Sequence, residues 1–353
     1  MTMKSPLFEL TKSSGATFMQ SGDWELPRFY SGIPEEYESA LSGVVVRDVS
    51  PRSRLRFSGD DHLDFLQRMT TNDFSGAPPG AGFRAVFTDS RGRIVEIGTF
   101  YRDETGTLAV LGTGASQSLQ EWLDRYIFAE KIEMKDMSQD SAMIEIVGGG
   151  AIDLADEIFS VDLNAHSTHE QVTLGPQSGL AAARIDMGTS IGLRVWGAVG
   201  DVENAWQSAL GGGATPCGEE AFSIHRIEAG IPLQDRELTE DYNPWEAGLA
   251  DAIDLNKGCY IGQEVIARLD TYDKVKQHLS GLRLASGALP EPGAALSAGP
   301  RQAGTITSVA ESPRFGNIAL GYVRNAHREA ETELEYLVEG NQMEARVTAL
   351  PFS

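Results

Sequence analysis

The C-terminal stretch from Lys276 onward constrains the fold more than any other part of the chain, because Gly and Pro divide it into short apolar runs. These runs contain β-branched and aromatic residues, and turn residues separate them at regular intervals. At least five have strand composition: 279–284, 303–309, 318–323, 333–337 and 345–347. Short strands at even spacing are typical of a small barrel. We therefore expect an antiparallel β-barrel over residues 279–353.

Residues 6–275 show a different pattern, in which strand and helix signals are mixed. Buried strands are predicted over 44–46 and 142–147, and apolar residues at helical spacing predict helices over 63–69 and 219–231. Residues 5–30 mix isolated aromatics with Gly and Pro, which predicts a short helix followed by an irregular stretch. The whole chain is therefore expected to be α+β, with mixed α/β units preceding the barrel.

Composition excludes several classes of function. With 41% hydrophobic residues in 353, the chain can bury a sizeable core and divide into two or three domains. The net charge of −22 argues against a duplex nucleic acid as partner, since phosphate contacts need clustered Lys and Arg. No apolar run has the length of a signal peptide or a membrane span, so we expect a cytoplasmic protein without membrane contact.

The stretch Asn256–Glu264 combines a thiol, an ammonium group and two glycines within nine residues. Apolar residues recur at helical spacing from Ile261, so Cys259 is expected on a turn just before a helix N-terminus. A neighbouring Lys257, taken as an exposed loop residue, and a helix N-terminus are typical of a reactive cysteine. The alternative is an inert, buried cysteine, which is the commoner role for an isolated one.

Two other motifs carry no predicted function. The run Gly148–Gly150 follows a strand but lacks the spacing of a dinucleotide-binding loop, so a close-packed strand-to-helix turn is favoured. His166 and His169 stand in a polar loop, where solvated surface is a better interpretation than a metal site. The two cysteines are far apart in sequence and cannot complete a zinc site, so no metal is expected.

The segment Lys257–Glu264 reads K-G-C-Y-I-G-Q-E and resembles the signature K-G-C-Y-x-G-Q-E of the YgfZ family. These are folate-binding relatives of the glycine-cleavage T-protein (aminomethyltransferase) that assist iron–sulfur proteins. Further stretches resemble T-proteins, so the resemblance spans nearly the whole chain: 22–30, 226–232, 243–249, 318–323 and 350–352. It implies two mixed α/β subdomains around a central folate cavity within residues 6–275, namely 1–50 with 135–275, and 51–134.

The resemblance also implies the site residues. Cys259 and Lys257 are the expected catalytic pair, and tetrahydrofolate is the expected cofactor. In the Arg-x-Glu-Ala-Gly segment Glu228 corresponds to a pterin ligand, because a carboxylate can accept two parallel hydrogen bonds from the ring N–H and exocyclic amine. A surface pair of Arg226 with Glu228 is the open alternative. The remaining residues expected at the folate are Arg226, Lys257, Tyr260, Gln263 and Arg268, two of which, Lys257 and Arg268, offer a counter-charge for the glutamate tail.

Three functions stay open on these residues. The first is a folate-binding protein that supports iron–sulfur assembly or repair, including tRNA-modifying enzymes, with iron–sulfur proteins as partners. The second is a one-carbon transferase to tetrahydrofolate. The sequence departs from that group where T-proteins carry paired aspartates, since it has Glu96–Ile97 there. The third is a folate-binding module with an inert cysteine.

Overall fold

The computed structural model describes residues 2–172, 174, 179–188 and 190–353. Its α-helices are Phe8–Ser13 (α1), Ile33–Ser42 (α2), His62–Met69 (α3), Ser116–Leu123 (α4), Ala151–Phe159 (α5), Val199–Gly211 (α6), Glu219–Ala229 (α7) and Gln263–Thr271 (α8). Short 3₁₀ turns cover Asp124–Tyr126, Leu163–Ala165, Ala250–Ala252 and Asn325–His327. In the part of the chain described, no helix is long and apolar enough to cross a membrane.

The strands before the barrel are, in chain order, Met3–Lys4 (β1), Thr17–Ser21 (β2), Trp24–Phe29 (β3), Val45–Asp48 (β4), Arg52–Ser58 (β5), Gly82–Thr88 (β6), Ile94–Arg102 (β7), Thr107–Thr113 (β8), Glu133–Asp136 (β9), Ala142–Val147 (β10), Gln171–Val172 (β11), Leu180–Met187 (β12), Ser190–Gly197 (β13) and Thr215–Pro216 (β14). They form sheets of order β1-β3-β2, β11-β12-β13-β10-β4-β14 and β6-β7-β8-β5-β9.

The N-terminal region differs from the prediction. Helix α1 is present, but the stretch expected to be irregular forms the antiparallel hairpin β2–β3, with Gly22 at φ 56° in the turn. Both strands are short and carry little alternation of buried and exposed residues. Their buried residues are Trp24 and Pro27, which are three positions apart. The period-2 signal that identifies a half-buried strand is therefore absent from this hairpin.

The chain separates into two compact units. The first consists of Met1–Arg68, Asp73–Ala85 and Ile97–Phe222, and the second of Met69–Asn72, Val86–Glu96 and Ser223–Ser353. In the first unit every residue of β10 is buried, as its central place in the six-stranded sheet requires. Helix α6 packs on that core through Val202, Ala205, Trp206 and Ala209. The subdomain boundaries implied by the resemblance stay a prediction.

The predicted barrel is confirmed. Its strands are Gln277–Leu284 (β15), Ala295–Ala298 (β16), Arg301–Ser312 (β17), Gly316–Arg324 (β18), Glu333–Val338 (β19) and Asn341–Thr348 (β20). They close in the order β15-β18-β17-β16-β19-β20, and every pair is antiparallel. Apolar side chains fill the barrel interior, among them Leu282, Leu296, Ile306, Leu334 and Val347. The fold is therefore α+β with a closed barrel, as expected.

Candidate functional site

Cys259 lies where the sequence predicts, on an exposed turn ahead of helix α8. The helix begins at Gln263, and Gly262 is its N-cap with φ 84°, in the left-handed region. A side chain at that backbone angle would be strained. The thiol is therefore presented to solvent by a turn that glycine makes possible.

A close approach of backbone holds this turn in place. A Cβ atom added to Gly262 would lie 2.5 Å from Asp89 O and 2.9 Å from Thr88 Oγ1, both at the β6–β7 connection. The Thr88 hydroxyl donates a 2.6 Å hydrogen bond to Ile261 O. Glycine is thus required at 262 for space as well as for dihedral angle. The sequence signals the glycine, but not the threonine that anchors the turn.

Lys257 is buried, with 8% of its surface exposed, so the expectation of an exposed loop lysine is wrong. Its ammonium group donates hydrogen bonds to Thr70 O at 2.6 Å and Asn72 O at 2.7 Å. It also lies 5.0 Å from the centroid of the Tyr260 ring. The acceptors are backbone carbonyls that follow helix α3 in the chain. No sequence pattern indicates such partners. The lysine therefore fastens the thiol-bearing segment to residues 70–72.

We expect Lys257→Ala to lower the free energy of unfolding by at least about 2 kcal/mol, because it removes two charge-assisted hydrogen bonds, a buried one to Thr70 O and a partly buried one to Asn72 O. Urea denaturation followed by circular dichroism measures the change. The control is Lys276→Ala, at an exposed lysine. Equal stability of the two variants would show that Lys257 does not anchor the turn.

Glu228 and Arg226, near the end of helix α7, are both buried, with 5% and 6% exposure. This excludes the surface ion pair that the sequence left open. Glu228 Oε1 accepts a 2.5 Å hydrogen bond from Ser312 Oγ, and the Arg314 guanidinium lies 3.8 Å from Oε2. The carboxylate is thus held in a polar, enclosed position.

Arg226 takes part in a separate network. Its guanidinium donates to Ser308 Oγ at 2.8 Å and Ile231 O at 3.2 Å, and lies 3.4 Å from Glu237 Oε2. Glu237 is fully buried and also accepts from Ser308 Oγ at 2.7 Å. This geometry gives Arg226 a supporting place beside the segment that carries Glu228.

The other predicted ligand residues differ in environment. The Tyr260 ring is buried, and burial raises the pKa of its hydroxyl to about 12. Among the residues described, nothing forms a hydrogen bond with that hydroxyl. Gln263 begins helix α8 and is half-buried, whereas Arg268 is exposed in the last turn of the helix. Of these three residues, Tyr260 alone has a buried polar atom that lacks a hydrogen-bond partner among the described residues.

Sequence reasoning missed a contact between an amide and a carboxylate. Glu96, on strand β7, is 4% exposed, and its Oε2 accepts a 3.1 Å hydrogen bond from Gln234 Nε2. In the sequence, Glu96 stands out only because it lies where T-proteins carry paired aspartates, and Gln234 stands in a loop without a motif. The separation of 138 positions between them leaves no local signal.

The histidine loop is polar, and both His166 and His169 are half-buried. His166 Nδ1 is 3.0 Å from Glu170 Oε1, four residues along the chain. Within the described ranges, no three metal-ligating side chains of His, Cys, Asp or Glu cluster together.

Comparison with known proteins assigns the chain to a family. Residues 7–257 match the GCVT N-terminal domain, and residues 277–353 match the glycine cleavage T-protein C-terminal barrel domain. Similar proteins include a chloroplastic protein of Arabidopsis thaliana that is named a putative transferase. It is 33% identical over 82% of this chain and 67% of its own. An aminomethyltransferase of Shouchella clausii is 30% identical over 99% of this chain and 97% of its own.

A solved structure shares the fold over the whole chain. The glycine cleavage system aminomethyltransferase T of Bartonella henselae superposes with a TM-score of 0.89 at 21% identity, covering 100% of this chain and 98% of that one. Aminomethyltransferases of this kind bind tetrahydrofolate, the cofactor that the sequence predicts. Because the two matched domains account for nearly every residue, the chain belongs to the glycine-cleavage T-protein (GcvT) family.

Proposed function

We propose that this chain is a YgfZ-type protein, which binds tetrahydrofolate and uses Cys259 to support iron–sulfur enzymes, including tRNA-modifying ones. The observation that carries the proposal is the exposed thiol on a turn fixed by Gly262, Thr88 and Lys257. Fixing the backbone on both sides of a thiol presents it in one orientation to a partner or ligand. The partners would be iron–sulfur client or assembly proteins.

The described residues fit a reduced folate. A pterin carries N–H donors that a buried carboxylate such as Glu228 can accept, and Tyr260 supplies a buried hydroxyl with no other hydrogen bond in the described chain. Gln263 and the exposed Arg268 are proposed for the glutamate tail, and Arg226 for support of Glu228. Lys257 acts on the turn that carries Cys259 and not as a free counter-charge, since its ammonium is bonded to carbonyls.

One-carbon transfer to tetrahydrofolate is the second candidate, and the names of the relatives favour it, since the Shouchella clausii protein is an aminomethyltransferase. A transferase would need a carboxylate near the reacting amine. Glu96 is the one acidic side chain at that place in the sequence, because Ile97 follows it. Its burial and its bond to Gln234 keep it in a defined position. The two candidates therefore rest on different side chains, Cys259 and Glu96.

Glu228→Ala is expected to weaken tetrahydrofolate binding by about 10- to 100-fold, because one charge-assisted contact with the pterin is lost. Isothermal titration calorimetry under reducing conditions measures the affinity. The matched control is Glu311→Ala, at an exposed carboxylate of strand β17. An affinity within twofold of the unchanged protein would remove Glu228 from the site.

Cys259→Ser is expected to abolish support of an iron–sulfur-dependent tRNA-modifying enzyme in cells while tetrahydrofolate binding is retained. The modification level of the tRNA, measured in a strain lacking the endogenous gene, gives the result. Cys217→Ala, at the second cysteine, serves as control. Full support by the Cys259→Ser protein would refute a role for the thiol.

The second candidate function, one-carbon transfer, is tested with the unchanged protein, Cys259→Ser and Glu96→Gln. Purified protein is incubated with tetrahydrofolate and an aminomethyl donor, and formation of methylenetetrahydrofolate with release of ammonia is followed. We expect no turnover. Turnover that is lost in Glu96→Gln and kept in Cys259→Ser would establish one-carbon transfer instead.

A further inference from the structure

The Gln234 side chain has one of its two polar ends satisfied by protein. Its amide nitrogen donates to Glu96 Oε2 at 3.1 Å, and its amide oxygen is buried without a hydrogen-bond donor among the described residues. Both residues belong to the same compact unit. A buried carbonyl oxygen that lacks a donor is costly, so a group outside the protein chain is expected to supply one.

The neighbouring Glu96 carboxylate determines the orientation of the Gln234 side-chain amide. Exchanging the amide oxygen and nitrogen would place an oxygen 3.1 Å from Glu96 Oε2, and a carboxylate has no proton to donate when ionised. The nitrogen must therefore face Glu96, and the acceptor must face away from it. Glu96 is 4% exposed, so water competes poorly for this contact. The orientation of the orphaned oxygen follows from charge as well as from geometry.

The charges of Gln234 and Glu96 favour a ligand group that donates a hydrogen bond. An anion or a carbonyl would meet two oxygen-bearing groups and be repelled, whereas an N–H group would be attracted by both the amide oxygen and the nearby negative charge. A pterin ring differs in this respect between its oxidation states. The tetrahydro form carries hydrogen on N5 and N8, and the fully oxidised ring presents lone pairs at the same positions.

We infer that Gln234 is a specificity-determining residue that accepts an N–H of the reduced pterin ring and so distinguishes tetrahydrofolate from oxidised folate. The inference rests on the proposed binding of tetrahydrofolate and adds to it the means of recognising the oxidation state. Glu96 is the positioning residue for this acceptor, since it holds the amide by its nitrogen. This role explains why a half-buried loop glutamine presents a buried amide oxygen next to the buried carboxylate of Glu96.

The test compares two ligands with two variants. Tetrahydrofolate and folic acid are titrated by calorimetry into the unchanged protein, Gln234→Met and Gln302→Met. Gln302 is the matched control, because it is exposed and its amide nitrogen donates to a backbone carbonyl, that of Gly304, at 3.4 Å. Gln234→Met should weaken tetrahydrofolate binding about five- to tenfold, the loss of one buried hydrogen bond, and change folic acid binding less than twofold. Gln302→Met should change neither.

Each other result overturns the inference in a recognisable way. Equal loss of both folates in Gln234→Met would make the residue structural, and unchanged binding of both would mean that only water meets the orphaned oxygen. If Gln234→Met does not fold, Gln234→Asn retains an amide but withdraws it by one methylene, and the same selective loss is expected. If the unchanged protein binds neither folate, the proposed function itself is wrong. If the unchanged protein binds tetrahydrofolate and Gln234→Met binds it equally well, only the inference about Gln234 is wrong.

Discussion

At neutral pH, iodoacetamide is expected to alkylate Cys259 at least about 100-fold faster than Cys217, because the thiolate is the nucleophile and must be accessible. Cys259 is exposed, whereas Cys217 is 2% exposed. Burial raises the pKa of the Cys217 thiol to about 12, and the carboxylates of Glu36 and Glu219 add to the effect against the opposing Arg47. Cys217 is therefore both protonated and inaccessible in the folded protein.

Mass spectrometry of the two cysteine peptides over a labelling time course measures the ratio. Labelling in urea is the control, since unfolding should bring the two rates close together. Comparable rates in the folded protein would show that the turn does not present the thiol. Protection of Cys259 by added tetrahydrofolate would place ligand and thiol in one site.

The second large effect concerns a buried charge cluster in the first compact unit. Glu145 lies on β10, directly opposite Arg194 of β13 on one side and Arg47 of β4 on the other. Its carboxylate is 2.7 Å from Arg194 Nη2 and 3.4 Å from Arg47 Nη1. Arg52 reaches the same carboxylate at 3.3 Å. One buried carboxylate therefore forms ion pairs with three guanidinium groups.

Glu145→Gln is expected to lower the free energy of unfolding by about 3–5 kcal/mol, the usual effect of removing one member of a buried ionic group. The carboxylate is 1% exposed, so solvent cannot replace it. Urea denaturation measures the loss. Glu344→Gln, which affects an exposed pair with Arg346, is the control and should change nothing measurable. Equal stability of both variants would contradict a structural role for Glu145.

The same group predicts a pH dependence. Burial alone would raise the pKa of Glu145, but Arg194, Arg52 and Arg47 outweigh it and lower the pKa to about 2 from an ordinary 4.5. A depressed pKa contributes stability above the unfolded value, and that stability is lost as the pH falls from about 4.5 through 2. Acid titration of the unfolding free energy should therefore show a loss of about 3 kcal/mol that Glu145→Gln lacks.

Sequence patterns predicted what depends on local periodicity. All six residues of β10 coincide with the predicted 142–147 because each is buried, and helix α7 begins at the predicted Glu219. Strand β16 was missed, since Leu296 is its only large apolar residue. Closure of the barrel depends on this strand, because it bridges β17 and β19.

Only those parts of the candidate site that lie in a sequence motif could be predicted. The position of Cys259 before a helix followed from the motif. The burial of Lys257 did not, because its partners are backbone carbonyls 185 and 187 positions away. The same holds for Gln234, whose carboxylate partner lies on β7. Contacts between distant, chemically ordinary residues are tertiary properties, and local propensity does not encode them.

Closure of the C-terminal barrel has a consequence for how other proteins can dock on it. Residues 277–348 are all described, and each of the six strands is bonded to a neighbour on both sides. An open sheet edge would let an extended peptide add itself as one more strand through main-chain hydrogen bonds. The barrel leaves no such edge, so recruitment here by strand addition is excluded. Any protein that binds this domain must contact its side chains and loop tips. The interaction is therefore sensitive to point substitutions on the barrel surface.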